Sequence, residues 1–234
     1  MNKTTATILK KPITATLISI LSGFLVAAVI LTAAGYNPLE AFSALIVGTM
    51  GRPKYIANVL IKGTPIIITG LSVAFAYKMG LFNIGAEGQY IMGSVAATTV
   101  GILLDLAPVL QIPVILLAGV LAGALYGGIA GYLKARFSIN EVITTIMLNW
   151  IALYLCNFVS RLAPFYKSGT TGTYPIHESG YTVFFSRWKT TEAAAEFLQN
   201  HPMLGDLKST DFNVGIFIAV LLGIGNSWFL FRTT

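Results

Sequence analysis

The sequence has few charged residues and a single cysteine. Charged residues make up 10% of the 234-residue chain and hydrophobic residues 55%, and the mean hydropathy is +0.75. Because a soluble domain usually carries about 25% charged residues, this composition excludes an ordinary water-soluble globule. The one cysteine, Cys156, excludes both a disulfide framework and a cysteine zinc site within one chain.

Several enzyme signatures are also absent. The sequence contains no G-x-x-x-x-G-K-S/T phosphate-binding loop, no H-E-x-x-H zinc motif and no G-x-S-x-G nucleophile motif. The net charge of +6 comes from scattered Lys and Arg residues rather than a basic stripe with interleaved aromatics, so no nucleic-acid partner is expected. We therefore expect a non-enzymatic chain without a cofactor or metal of its own.

Long apolar stretches dominate what is present. A helix needs about 20 apolar residues to cross the hydrocarbon core of a bilayer. Six stretches approach this length, at 13–34, 56–76, 82–104, 112–133, 140–160 and 212–231. The predicted fold is an all-α transmembrane bundle in one region, 1–234. Within it, 161–211 is a loop outside the membrane, with a short helix near Thr191–Gln199, that serves as a docking surface or covers the helix ends.

The distribution of Lys and Arg predicts an orientation. With the N-terminus in the cytoplasm, the short outside loops hold only Arg52 and Lys54. The inside segments then hold Lys3, Lys10, Lys11, Lys78, Lys134, Arg136 and Arg232. Both ends of the chain are therefore expected inside, and 161–211 outside.

The fourth stretch carries a glycine ridge. Its members recur every four residues, which places them on nearly one helix face. Such a ridge lets another helix approach closely, and we expect it to serve helix packing alone. The ridge consists of Gly119, Gly123, Gly127 and Gly131.

Polar residues stand at the start of the third stretch, in GLFNIGAEGQY at 80–90. Asn83 and Glu87 are four residues apart and would share a helix face, while Gly85 and Gly88 weaken the helix. A broken segment at membrane depth is tolerated where it is buried in protein or lines a cavity. Glu87 thus belongs to a pathway or gate, or it lies at the membrane interface or pairs with a cation such as Lys62 to lock two helices.

The second stretch is interrupted by Lys62 and Pro65. Proline removes a backbone donor and bends a helix, which favours a nearby cavity or gate. The simpler account is that Lys62 extends to the membrane interface.

A polar stripe opens the fifth stretch, NEVITTIMLN at 140–149. Glu141, Thr145 and Asn149 recur at intervals of four, and Asn140 and Thr144 widen the first turn. The stripe fits either a water-filled pathway or interhelical hydrogen bonds.

Together, GLFNIGAEGQ and NEVITTIMLN resemble motifs of the permease subunits of bacterial ABC importers. The branch is the one related to ribose and branched-chain amino-acid permeases that serves nucleosides and simple sugars. The resemblance implies translocation of a small polar solute by alternating access, past the two motifs. The pathway candidates are Phe82, Asn83, Glu87, Gln89, Glu141, Thr145 and Asn149.

The resemblance also implies partners. These are a cytoplasmic ABC ATPase that hydrolyses ATP, an extracytoplasmic solute-binding lipoprotein or periplasmic protein, a second permease subunit, and the lipid of a bacterial inner membrane. Members of the family continue beyond the position of Phe231 into a loop that contacts the ATPase. We therefore expect a longer chain or a second polypeptide to supply that loop.

Two other functions stay open at the level of sequence. One is a proton-coupled secondary carrier or channel that uses Glu87 and Glu141. The other is a membrane-embedded scaffold in which the glycine ridge and the segment 161–211 serve assembly. Aromatic residues do not separate the possible solutes, since Phe82, Tyr90 and Trp150 could stack on a base or fill a core.

Overall fold

The computed structural model describes residues 12–183, 191–201, 205, 210–211 and 213–232, and they form an all-α protein. The α-helices with described bounds are α1 Pro12–Ala33, α2 Pro38–Met50, α3 Pro53–Lys78, α4 Ala86–Leu103, α5 Pro108–Phe137, α6 Glu141–Ser160, α7 Glu192–Asn200 and α8 Gly215–Arg232. They divide between two compact units, Met1–Ala57 with Leu198–Ser209, and Asn58–Phe197 with Thr210–Thr234.

In the described part of the chain, four helices are long and apolar enough to cross a membrane by length and composition, at 13–33, 53–78, 108–137 and 141–160. Two further apolar helices, Pro38–Met50 and Gly215–Phe229, are shorter. The helix α4 does not meet the same measure within the described residues, because Glu87, Gln89 and several Ser and Thr residues lower its apolarity. The predicted six spans thus correspond to the four clear helices, the more polar α4 and the shorter α8, and α2 is an additional short apolar helix that was not predicted as a span.

Small and polar side chains form the interior of the protein. The buried residues include Ala86, Ala130 and Ala152, together with Gln111 and Thr145. Large apolar side chains instead cover the outside, as Ile66, Val109 and Leu125 do along α3 and α5. This arrangement reverses that of a soluble protein and suits a multi-pass membrane protein, in which helices approach through small residues and present large ones to lipid.

The first unit contains α1 and α2. The helix α1 ends where Gly35 adopts a left-handed φ of +83° and the N–H of Tyr36 donates to the carbonyl of Leu31, a glycine cap that terminates helices. Asn37 then caps α2 by accepting a hydrogen bond from the N–H of Leu39. The short outside loop predicted between the first two stretches therefore contains a helix, because this cap and Pro38 start one there.

The helix α5 packs antiparallel to α4 through glycines. A Cβ placed on Gly93 would lie 2.9 Å from the backbone oxygen of Gly119, and one on Gly123 would lie 3.3 Å from that of Gln89. Small residues, glycine above all, let two helix backbones approach this closely. Gly127 faces the side chain of Gln89, but a Cβ on Gly131 would meet no described atom within 4 Å. Three of the four ridge glycines therefore contact α4, and Gly131 does not.

The second span is not broken where the sequence predicts. The helix α3 runs from Pro53 to Lys78 with Pro65 inside it, and the side chain of Lys62 is exposed. The predicted interruption at these residues is therefore wrong. In the second unit, α8 contacts α3, since the side-chain amide of Asn226 on α8 donates to the carbonyl of Leu71 on α3 at 3.2 Å.

The segment after α6 folds back over the ends of α4 and α5. Tyr166 and Thr173 form a β-bridge, and Glu178–Gly180 forms a 3₁₀ turn. The N–H of His177 donates to the carbonyl of Gly101 at 3.0 Å. The predicted short helix is observed as α7, and 184–190, 202–204 and 206–209 of the predicted loop lie outside the described residues.

Candidate functional site

A non-helical connector joins α3 to α4, and its residues form the first part of the site. Gly80 has a left-handed φ of +75°, and the N–H of Leu81 donates to the carbonyl of Ala76, which ends α3. The side chain of Asn83 then accepts a hydrogen bond from the N–H of Gly85 at 2.9 Å. This local bond holds the turn that starts α4 at Ala86. Asn83 therefore lies in the connector, and the predicted helix face shared with Glu87 is wrong.

Asn149 of α6 fixes the same connector from the neighbouring helix. Its side-chain oxygen accepts from the N–H of Gly88 at 2.8 Å, and its nitrogen donates to the carbonyl of Ile84 at 3.1 Å. Both partners are backbone groups next to a break in the helix, where the regular helical partners are missing. The amide of Asn149 therefore replaces the hydrogen bonds that the break removes.

A cavity of about 110 Å³ opens beside this connector, and we call it the motif pocket. It brings together five of the seven pathway candidates, which lie far apart in the sequence. Phe82 and Asn83 come from the connector, Gln89 from α4, and Glu141 and Thr145 from α6. Asn149 does not line this pocket, and instead holds the connector beside it through hydrogen bonds to Gly88 and Ile84.

Lys134 and Glu141 form an ion pair at the edge of the motif pocket. Lys134 lies in the last turn of α5 and Glu141 in the first turn of α6, and their charged atoms are 2.5 Å apart. Both side chains are partly exposed and both line the pocket. The pair therefore joins the two helix ends across the turn that connects them.

Lys134 is not among the pathway candidates of the sequence, where it indicates only the orientation of the chain, yet the structure places it in the site. The spacing of seven residues to Glu141 across a helix–turn–helix was the available signal. Asn140 marks that turn, since its side chain accepts from the N–H of Val142 and caps α6.

Gln89 reaches into the motif pocket over a glycine. Its side-chain nitrogen lies 2.8 Å from the position that a Cβ on Gly127 would occupy. The amide makes no hydrogen bond to the described residues. Gly127 therefore makes room for an amide that retains its full capacity to donate and accept hydrogen bonds.

Thr145 and Glu87 occupy contrasting environments. Thr145 is buried, its hydroxyl donates to the carbonyl of Glu141 at 2.7 Å, and its Cβ packs against Gly85. Glu87 lies exposed in the first turn of α4 and does not line the motif pocket. No ion pair joins Glu87 to Lys62 in the part of the chain that the structure describes, so the predicted structural pair is not formed.

Comparisons with known proteins agree on one kind of protein. The family model described as the permease component of the branched-chain amino acid transport system matches residues 55–234. This range contains both motifs and the whole of the motif pocket.

Three relatives extend the comparison. The chain is 42% identical to the guanosine ABC transporter permease protein NupP of Bacillus subtilis over 163 residues, covering 70% of this chain and 46% of that protein. It is 40% identical to the nucleoside ABC transporter permease protein NupB of Lactococcus lactis subsp. cremoris, and the match covers 61% of this chain and 40% of that protein. It is 35% identical to the glucose ABC transporter permease protein TsgB13 of Haloferax volcanii, and the match covers 68% of this chain and 41% of that protein.

The chain spans less than half the length of each of these relatives. No solved structure matches it.

Proposed function

Because this chain belongs to the family of permease components of branched-chain amino acid transport systems, we propose that it is the membrane-spanning permease of an ATP-driven ABC importer. The solute in this proposal is a nucleoside or a related purine or simple sugar, and it moves by alternating access. The names of the three relatives support this class of solute, since they refer to guanosine, nucleosides and glucose.

The observation that carries the proposal is the motif pocket. Polar groups inside a membrane protein are costly unless they face protein or water, and they often mark a solute route. Here the two motifs converge on one cavity beside the connector between α3 and α4, and a concave site with a few convergent polar groups is where small molecules bind. The free amide of Gln89 and the side chains of Phe82 and Asn83 supply the contacts that a polar solute with an aromatic base requires.

The ion pair of Lys134 and Glu141 acts in this proposal as a gate at the cytoplasmic side. The predicted orientation puts the turn between α5 and α6 in the cytoplasm, with Lys134 and Arg136. The two charges neutralise each other across the edge of the motif pocket. Separating them would widen this edge, so opening toward the cytoplasm would break the pair.

The energy source and the partners are part of the proposal. The sequence has no phosphate-binding loop of its own, so a separate cytoplasmic ATPase hydrolyses ATP. A second permease subunit completes the pathway, and a solute-binding lipoprotein or periplasmic protein delivers the solute from outside. The exposed side chain of Glu87 is then available to face the second subunit or the pathway.

Uptake by the complete transporter tests this function. The full-length permease, its ATPase and its solute-binding protein are reconstituted into vesicles, and entry of radiolabelled guanosine is measured with and without ATP. We expect uptake that requires ATP and continues when a protonophore removes the proton gradient. Uptake driven by a proton gradient without ATP would support a secondary carrier instead, and uptake of neither guanosine nor a sugar would support a scaffold.

A further inference from the structure

A second cavity, of about 160 Å³, lies between the C-terminal parts of α4 and α6. The two helices run parallel, since Gly85 and Gly88 at the start of α4 lie against Thr145 and Asn149, in the same order, in the first half of α6. The second cavity therefore lies near the other end of the same helix pair. At 1.5 Å per residue, Thr98 is about 13 Å along α4 from Gln89 in the motif pocket.

Hydroxyl groups dominate the polar lining of this cavity, and we call it the hydroxyl pocket. Ser94, Thr98 and Thr99 come from α4, Ser160 from the end of α6, and Thr173 from the segment that follows. The wall from that segment is held in place, since Tyr174 donates a backbone hydrogen bond to Phe165 at 2.8 Å.

The threonine hydroxyls of α4 are unusual in this chain. A helical threonine commonly donates to the carbonyl one turn earlier. Six threonines of other helices do so, namely Thr32, Thr49, Thr64, Thr69, Thr144 and Thr145. The hydroxyls of Thr98, Thr99 and Ser94 make no hydrogen bond to any described residue. They are therefore free to bind a molecule in the pocket.

The lining also determines the charge of that molecule. Among the described residues, no Asp, Glu, Lys, Arg or His lines the hydroxyl pocket. A charged solute such as an amino acid would lose its hydration there without gaining a counter-charge. Hydroxyl groups both donate and accept hydrogen bonds, which matches the hydroxyls of a neutral sugar. The apolar walls, with Val95 and Phe165, suit the C–H groups of the same ring.

The size of the cavity limits the ligand further. An apolar cavity of about 150 Å³ accommodates one benzene molecule, so about 160 Å³ accommodates a single five- or six-membered ring. A complete nucleoside, with a sugar and a two-ring base, is larger than this. The hydroxyl pocket therefore fits the sugar part of a solute.

We propose that the hydroxyl pocket is a binding subsite for the sugar moiety of the solute, and that Thr98 and Thr99 determine its specificity. This inference rests on the proposed transport function, because it places a second subsite along the same helices as the motif pocket. The subsite recognises a neutral polyhydroxylated ring through the free hydroxyls of α4.

Cys156 provides a test that does not depend on transport. It lines the hydroxyl pocket and is the only cysteine of the chain. The complete transporter in membrane vesicles is treated with N-ethylmaleimide, and alkylation of the Cys156 peptide is followed by mass spectrometry. Guanosine, D-ribose and 2′,3′-dideoxyguanosine are the competing probes. The variants are Thr98→Val with Thr99→Val, which removes both hydroxyls at constant shape, and the control Thr69→Val on α3.

We expect guanosine and D-ribose to slow alkylation of Cys156, and dideoxyguanosine to protect it much less. In the double variant, losing two hydrogen bonds should raise the half-protecting concentration of guanosine about tenfold or more. The Thr69→Val control should keep the protection of the unmodified protein.

Each other outcome separates the subsite from the transport function. Absence of alkylation, absence of protection, or equal protection by dideoxyguanosine overturns the subsite, even if uptake of guanosine is driven by ATP. Unchanged protection in the double variant overturns the role of Thr98 and Thr99. Protection that depends on both threonines, without ATP-driven uptake, upholds the subsite and contradicts the transport function.

Discussion

At the scale of single residues, the polar stripe of α6 combines three different roles. Glu141 pairs with Lys134 at the edge of the motif pocket. Thr145 is buried and packs on Gly85. Asn149 binds two backbone groups of the connector and its neighbouring helix turn. The stripe is therefore both a pocket lining and a set of interhelical contacts, which the sequence had left as alternatives.

Replacing Asn149 by leucine should destabilise the permease. The substitution leaves the N–H of buried Gly88 and the carbonyl of exposed Ile84 without their partner. An unpaired buried group such as the N–H of Gly88 costs about 1–3 kcal/mol. We expect a lower midpoint of thermal unfolding for the purified full-length protein in detergent. Asn149→Asp keeps the acceptor for Gly88 and should give an intermediate value.

A matched control for this change lies two turns further along α6. Asn157 is exposed and makes no hydrogen bond to the described residues, so Asn157→Leu should leave the midpoint nearly unchanged. Equal effects of the two leucine substitutions would contradict the anchoring role of Asn149.

Exchanging the charges of Lys134 and Glu141 should restore what each single reversal removes. Lys134→Glu and Glu141→Lys each place like charges against one another at the edge of the motif pocket, so both should lower the initial rate of guanosine uptake. The double exchange recreates an attractive pair and should recover most of the rate. Arg136→Glu changes the net charge equally outside the pair and serves as the control. A double variant no better than the single ones would argue against the pair as a gate.

At the scale of elements, the helix α4 has few large apolar side chains and holds its place through glycines. Gly93 and Gly119 bring α4 and α5 into backbone contact, and Gly88 meets Asn149 of α6. Dispersion and close packing, rather than the hydrophobic effect, stabilise helices against each other inside a bilayer. A polar helix can therefore stay at the centre of the bundle when small residues line its contacts.

Two glycine-to-alanine substitutions should have opposite effects on this packing. A Cβ on Gly93 would lie 2.9 Å from the backbone oxygen of Gly119, and such overpacking costs about 1–3 kcal/mol. Gly128 on α5 has open space around it, so alanine there should gain up to about 1 kcal/mol of helix propensity. Thermal unfolding of the two full-length variants measures both effects. The same direction of shift for both would mean that the close contact of α4 and α5 does not limit stability.

At the scale of the whole molecule, the distribution of side chains identifies the solvent. Large apolar residues face outward and small or polar residues face inward, which is stable only against lipid or further helices. The family match and four helices of spanning length support the same conclusion. The chain is a multi-pass membrane protein.

The orientation is tested by cysteine accessibility in a Cys156→Ser background. We expect a cysteine at Ser138, in the turn after α5, to react with a membrane-impermeant maleimide only from the cytoplasmic side. A cysteine at Ser168, in the segment after α6, should react only from outside. Labelling of intact cells and of inverted vesicles distinguishes the two sides. Reversed accessibility would mean that the Lys and Arg bias does not set the topology here.

The sequence by itself determined the all-α membrane fold and the two motifs. Composition and the length of apolar runs are sufficient for this, because a bilayer demands helices of known length. The motifs at 80–89 and 140–149 also contain every pathway candidate. The helix α2 and the continuous course of α3 through Pro65 were missed, since caps and neighbouring contacts override what single residues suggest.

Only the tertiary structure decided how the polar residues divide between lining and support. Because α4 packs parallel to α6, the side chain of Asn149 accepts a hydrogen bond from the backbone N–H of Gly88, while Gln89 lines the motif pocket. The turn after α5 places Lys134 on Glu141. The free hydroxyls of Thr98 and Thr99 have no sequence signature, because the direction of a threonine side chain depends on the neighbouring helix. The six apparent spans are not equivalent: within the second unit, α5 and α6 both pack against α4, so the polar residues of α4 meet protein on these sides rather than lipid.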